Sequence, residues 1–319
     1  MDQIHIFPDG KEVQLLDASE AAERIMVDAA GSFFDLLTQT DISVRMGVES
    51  ADGAKGVDKP GLERFKAFVR RSVRDWTARE RQAMPEVLRL VHDQCGEAYA
   101  SLIPQKWRFI KTSGAEEFGY FYTRGDSIVI PEPAFNHRLA GGDMANLAAL
   151  MLHETFHVYS RLNPDKKALL YQRIGFSRLE PLNLGGFLTG RRMTNPDGAD
   201  CSYAIKVENN RGEDAWITPV VFWDGKLNSG FFELEFRDGW WRVVGGDGFP
   251  RPVNLETVKG FYEQVGRNTD YLIHPDEILA ENVVLLVNAR FRNHDLAGKA
   301  PDEHSLRVLH DIERILLQQ

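Results

Sequence analysis

The chain has 319 residues, 43% hydrophobic, 27% charged and 10% aromatic, the composition of an ordinary soluble globular protein long enough to bury a substantial core. Its 38 basic and 47 acidic side chains leave a net charge of −9, which argues against a general nucleic-acid or anionic-membrane surface. Two cysteines, Cys95 and Cys201, are too few for a disulfide scaffold, residues 1–16 lack the basic and apolar regions of a secretion signal, and no window reaches the roughly 18 uninterrupted apolar residues of a membrane span, so a cytoplasmic location is expected.

Residues 4–7 and 13–16 flank Pro8-Asp9-Gly10 and predict a hairpin. Asp17 or Ser19 then caps an expected helix with Ala22, Ile25, Ala29, Phe33 and Leu36 on one face. Between Gly47 and Gly61 periodicity gives way to glycine and charge, the pattern of a loop. Leu62, Phe65, Val69, Val73 and Trp76 follow at helical spacing, and Pro85 is placed to restart a helix through Leu88, Val91, Cys95 and Tyr99. A strand is expected at 107–110. Residues 119–123 and 127–130 form a second expected hairpin around Arg124-Gly125-Asp126, which reads as a turn, and Pro131 and Pro133 end it.

Asp143 is a good N-cap for a helix running to about Ser160 and stopped by Asn163-Pro164. Met144, Leu147, Ala148, Leu150, Met151, Leu152 and Phe156 make that helix apolar nearly all round, so it should be central and buried. Its last turns carry His153-Glu154-Thr155-Phe156-His157. Two histidines four apart share one helix face and can bind one zinc ion, with Glu154 beside them to take a proton from water. Residues 165–175 look helical. From 185 to about 252 glycine, turn pairs such as Asp224-Gly225 and Asp238-Gly239, and short alternating segments predict a β-rich meander. Helical pattern returns at about 255–267, 275–290 and 302–317.

A zinc ion held by three protein groups keeps a fourth position for water. The metzincin arrangement needs Gly at 160 and His at 163, where this chain has Ser160 and Asn163. The best alternative is the segment His274-Pro275-Asp276-Glu277, in which Pro275 suits the first helical position and Glu277 and Glu281 fall on one face. Glu277 is the expected third ligand, and Glu281 the expected hydrogen-bond partner of a ligand histidine's outer nitrogen. His274, Asp276, Glu281 and Glu180 stand as rival ligands. Tyr159, Tyr271 and His274 are candidate donors to a developing oxyanion.

With these residues the chain resembles the gluzincin group of zinc metallopeptidases, in which His-Glu-x-x-His is followed downstream by Glu-x-x-x-Asp. Two departures stand out: Glu281 replaces the usual Asp, and 277 − 157 − 1 = 119 residues separate His157 from Glu277. The resemblance covers two helices. It implies an α+β, zincin-like and mostly helical metallopeptidase domain with a small antiparallel sheet, interrupted by the β-rich segment. The expected organisation is residues 1–184 with the helices, hairpin and His-Glu-x-x-His helix, 185–252 as a β-rich insertion, and 253–319 returning with the third ligand. The implied activity is peptide hydrolysis with one Zn2+ per chain on His153, His157 and Glu277. Glu154 is then the general base, Tyr271 or His274 assists, and an extended peptide lies along the 119–130 hairpin near Tyr120 and Tyr122. A peptide or protein substrate is expected, with no nucleic-acid or membrane partner. The alternatives are a zincin-like protein that binds without cleaving, or another zinc hydrolase.

Overall fold

The computed structural model describes residues 3–29, 32–48, 59–245 and 249–318. It is an α+β fold with two sheets. The first contains β1 (Gln3–Ile6), β2 (Glu12–Leu15), β3 (Val73–Arg74), β4 (Lys106–Thr112), β5 (Tyr122–Arg124) and β6 (Ser127–Pro131). Its order is β1-β2-β4-β6-β5, with β3 on β4. The pairs β2–β4 and β4–β6 are parallel, so the sheet is mixed and not the small antiparallel one expected. The cause is the helical crossover between β2 and β4, a connection that returns the chain in the same direction.

Alternation along the central strands divides the core. Phe109, Ile128 and Ile130 face the cluster that holds the His-Glu-x-x-His helix, whereas Ile110 and Val129 face Phe33, Phe65 and Val69 of the N-terminal helices. The second sheet contains β7 (Phe176–Arg178), β8 (Leu182–Asn183), β9 (Tyr203–Glu208), β10 (Asp214–Trp223), β11 (Leu227–Arg237), β12 (Trp240–Val243) and β13 (Pro252–Val253). It is antiparallel apart from β8 on β12, and its first two strands precede Gly185. Ile205, Val207, Ile217 and Phe231 on one face of it join the same main core as the central helices. The turn after β10 uses Gly225 at φ 102°, a backbone state that L side chains rarely adopt.

Several helices differ from the periodicity. The expected Asp17–Leu36 helix stops at Arg24, and Phe33–Leu36 forms a separate turn. Gln39–Arg45 is a further helix, closed by a capping box between Thr38 and Asp41. The predicted loop at 47–61 falls largely on residues outside those described. The helix Lys59–Ser72 ends before Val73, which pairs with Thr112 in β3, so Val73 and Trp76 leave the helical face. Pro85 sits inside the helix Ala78–Cys95, which starts at a Thr77–Glu80 capping box. Glu80 also meets the buried Lys111 ammonium of β4, with Oε2 and Nζ 2.7 Å apart. Among the described residues no helix is long and apolar enough to cross a membrane.

Candidate metal centre

The His-Glu-x-x-His motif lies on the helix Met144–Leu162, the motif helix. Asp143 caps it by accepting from Asn146 N at 3.0 Å, and Asn163 ends it where Pro164 opens the next helix. Leu147, Met151, Leu152 and Phe156 bury it in the main core, and Thr155 on its far side accepts a hydrogen bond from Trp107 Nε1 at 3.1 Å. A second buried helix, Pro275–Phe291, crosses it. Its N-cap is His274, whose Nδ1 accepts from Asp276 N at 3.1 Å, while Ile278, Leu279, Val283 and Leu286 anchor its body. That cap and Pro275 bring the carboxylates of the first turns against the two histidines.

Three atoms converge. His153 Nε2 and His157 Nε2 are 3.0 Å apart, and Glu277 Oε2 is 3.1 Å from the first and 3.3 Å from the second. Ligands on a tetrahedral zinc ion, with bonds of about 2.0–2.2 Å, stand roughly 3.3–3.5 Å from one another, so this triangle needs only a small expansion to take the ion. The outer nitrogens explain why the inner ones face each other. His157 Nδ1 is 2.8 Å from Asp276 Oδ2, and His153 Nδ1 is 2.9 Å from Glu281 Oε1. When both Nδ1–H groups donate outward, each neutral imidazole presents a lone pair at Nε2, and two lone pairs then meet a carboxylate oxygen. Such a set is repulsive unless protons or a cation lie between its members.

The charge balance points the same way. Burial opposes protonation of His153, but hydrogen bonds to Glu277 and Glu281 outweigh it and raise the imidazole to about 9. Burial likewise opposes His157, whose pKa is nevertheless lifted well above its ordinary value by Glu277 and Asp197. Despite burial, the two histidines hold Glu277 well below the usual carboxylate range. Asp276 is also held low against burial, by Lys167, His157 and Ser160. Protons thus offset in this structure the repulsion that a divalent ion would offset on the same atoms. The residues present fit zinc: two imidazoles and one carboxylate, each oriented by a further hydrogen bond.

The remaining expected residues fall into three groups. Glu154 is buried one residue from His153, and its Oε2 has no hydrogen-bond partner. Burial first, and Asp197 next, push its carboxyl up to about 8. Tyr271 and Tyr120 stand half-exposed or more on a cleft of roughly 610 Å3 that opens onto His153, Glu154 and Glu277. The Tyr271 ring lies 6.5 Å from that of His153, and burial together with the site carboxylates keeps its hydroxyl protonated. His274 takes no place in the cleft. Its Nδ1 caps the helix and its Nε2 donates to Asp200 O at 3.1 Å, so both nitrogens are committed to structure. Tyr122 is also turned inward, 1% exposed, with its hydroxyl 3.3 Å from Glu116. Tyr159 packs in the main core.

Three residues of the site were not read from the sequence in the roles they hold. The sequence marks Asp276 only as a rival ligand, yet it orients His157 and accepts from Ser160 Oγ at 2.5 Å and Tyr171 at 3.0 Å. Its position beside Glu277 in the same first turn was the available signal. Asn195 donates to Glu277 Oε1 at 2.7 Å, and Asp197 lies close to Glu154 and His157. Both come from an irregular segment, and no spacing rule marks them. Comparison with known protein families, with curated proteins and with solved structures returned no match.

Proposed function

We propose that the chain is a zinc-dependent metallopeptidase of gluzincin type, holding one zinc ion on His153, His157 and Glu277. The observation that carries this reading is the triangle of Nε2, Nε2 and Oε2 atoms with each outer imidazole nitrogen tied to its own carboxylate. When bound, zinc supplies Lewis acidity toward a carbonyl and lowers the pKa of water. Glu154 is the proton acceptor: it lines the cleft next to His153, and its buried Oε2 has no hydrogen-bond partner to compete for it. Asp276 and Glu281 fix the tautomers that leave both Nε2 atoms free for the ion. Tyr271, protonated and at the cleft wall, is placed to donate to charge developing on a substrate oxygen. Phe118, Tyr120, Phe121 and Leu150 line the same cleft and suit an apolar substrate side chain.

Metal analysis of the purified protein beside Glu277→Ala, with a peptide-library cleavage assay on wild type and Glu154→Gln, tests the reading. One zinc per wild-type chain, a large loss of affinity in Glu277→Ala, and cleavage reduced about 10²- to 10⁴-fold in a zinc-loaded Glu154→Gln are expected. Unchanged zinc affinity in Glu277→Ala refutes the ligand set. A zinc-loaded wild type that binds but never cleaves peptides favours the non-hydrolytic alternative.

A further inference from the structure

The second sheet presents an unpaired edge to the cleft. β11 pairs with β10 from Leu227 to Leu234, but on its other side β13 covers only Phe231 and Phe232, and β12 only Leu234 to Arg237. Leu227 to Gly230 therefore have no strand on that side among the described residues. The cleft that opens onto His153, Glu154 and Glu277 is lined by Leu227, Asn228 and Ser229. Side chains alternate between the two faces of a strand, so contact with three consecutive residues is contact with the edge and not with one face alone.

Hydrogen-bond direction fixes which groups this edge offers. Val221 O accepts from Met193 N and Trp223 N donates to Arg191 O, each at 2.8 Å, so these two residues of β10 point away from β11. The ladder is then carried by Phe222 with Asn228 and by Val220 with Gly230, and the N–H and C=O of Leu227 and Ser229 point outward. Glu233 keeps the same phase: its N–H donates to Arg251 O at 3.3 Å and its C=O accepts from Val244 N at 2.7 Å, on the side away from β10. No described residue bonds the backbone of Leu227 or Ser229, and each is exposed. Free edges are normally blunted by charge or proline, and Leu227 to Phe232 contains neither.

The edge expected from the sequence is closed. β5 is the outer strand of the first sheet, and its one outward N–H, that of Thr123, donates to Asp197 Oδ1 at 2.7 Å. β5 therefore has no free donor for an added strand. Resting on the peptidase reading above, we propose that an extended peptide substrate docks by strand addition on the Leu227–Ser229 edge of β11, and not along residues 119–130. The outward N–H and C=O groups of Leu227 and Ser229 make the main-chain bonds, which accept any sequence. Phe118 and Tyr120, exposed on the same cleft, meet its side chains.

Amide-resolved hydrogen exchange on zinc-loaded, full-length Glu154→Gln with a library of acetylated, amidated hexapeptides tests this without cleavage. At about ten times the measured dissociation constant, the library should slow exchange about tenfold at Leu227 and Ser229. Bound peptide that slows Phe121 and Thr123 in their place, or that leaves Leu227 and Ser229 unchanged, overturns the docking edge and leaves the peptidase reading intact. A library that does not bind overturns both. Ser229→Pro removes the outward N–H but no ladder bond, and should weaken peptide binding about tenfold at unchanged zinc affinity. Ser229→Ala keeps the N–H and should bind peptide as the parent does. Equal binding by the two variants also overturns the docking edge, and the exchange pattern decides the matter even if Ser229→Pro misfolds.

Discussion

Replacing Asp276 by Asn isolates the carboxylate that orients His157. In the native centre one oxygen accepts from His157 Nδ1 at 2.8 Å while the other accepts from Ser160 Oγ at 2.5 Å and Tyr171 at 3.0 Å. Asparagine keeps one acceptor and introduces a donor. With its oxygen toward the two hydroxyls, its NH2 opposes His157 Nδ1–H and drives the imidazole to the tautomer protonated at Nε2, which cannot bind metal. With its oxygen toward His157 the tautomer survives, but the negative charge that raises ligand basicity is gone. Outer partners of this kind are worth about 10- to 100-fold in metal affinity, or about 1.4–2.8 kcal/mol. A disturbed buried network adds about 1–3 kcal/mol to the loss of stability. The folded Asp276 carboxyl is held below its usual pKa, so its stabilisation is full above about pH 4 and is lost as pH falls through the folded value. Zinc affinity by chelator competition and thermal melts of the metal-free proteins at pH 7 and pH 4 measure both effects. A folded Asp276→Asn that binds zinc within about twofold of wild type would refute the reasoning.

Zinc binding at pH 7 should release about two protons per ion, because His153 is raised to about 9 and His157 well above its ordinary value in the metal-free protein. Calorimetry in buffers of different ionisation enthalpy counts them, and release of none shows imidazoles already neutral. The same raised values make the metal-free fold most stable below about pH 6.5 and progressively less stable as pH climbs through 9, a trend that melts across that window check. Gly198→Ala places a Cβ 2.1 Å from His274 Cε1, within the ring that caps the second helix. About 1–3 kcal/mol of destabilisation in denaturant titrations is expected, and a neutral effect shows that the cap can move freely. Glu80→Gln leaves the Lys111 ammonium, 1% exposed, with Glu132 alone as its anionic partner, and should cost about 3–5 kcal/mol in urea unfolding. A cost below about 1 kcal/mol would mean that water reaches Lys111.

The two helices of the centre were legible because their signals are local. Asp143, Asn163-Pro164 and Pro275 mark where chains of hydrogen bonds begin and end, and four-residue spacing places His153 with His157 and Glu277 with Glu281. Periodicity failed where a tertiary partner competes with helix continuation. Val73 sits at helical spacing from Val69, but the backbone of β4 offers it a ladder, and the helix ends at Ser72. Pro85 suggested a start because it lacks an N–H, yet the Thr77–Glu80 box had nucleated the helix two turns earlier. Asn195 and Asp197 lay beyond any such reading. Asp41, Arg45 and Arg161, remote in sequence, hold Thr194 and Pro196 on either side of Asn195 and so bring that segment to the centre.

The 119 residues between His157 and Glu277 include the entire second sheet, so both ends of that segment terminate on neighbouring atoms of one small triangle. An ion bound there acts as a reversible crosslink. On the chain-entropy account used for disulfides, closing a loop of about this length removes some 4–5 kcal/mol of freedom from the unfolded chain, an upper bound for a coordinate bond that can dissociate. On the zinc reading proposed above, chelation would unclasp a loop as well as empty the centre, and hydrogen exchange in β9 to β12 would be a gauge of metal occupancy.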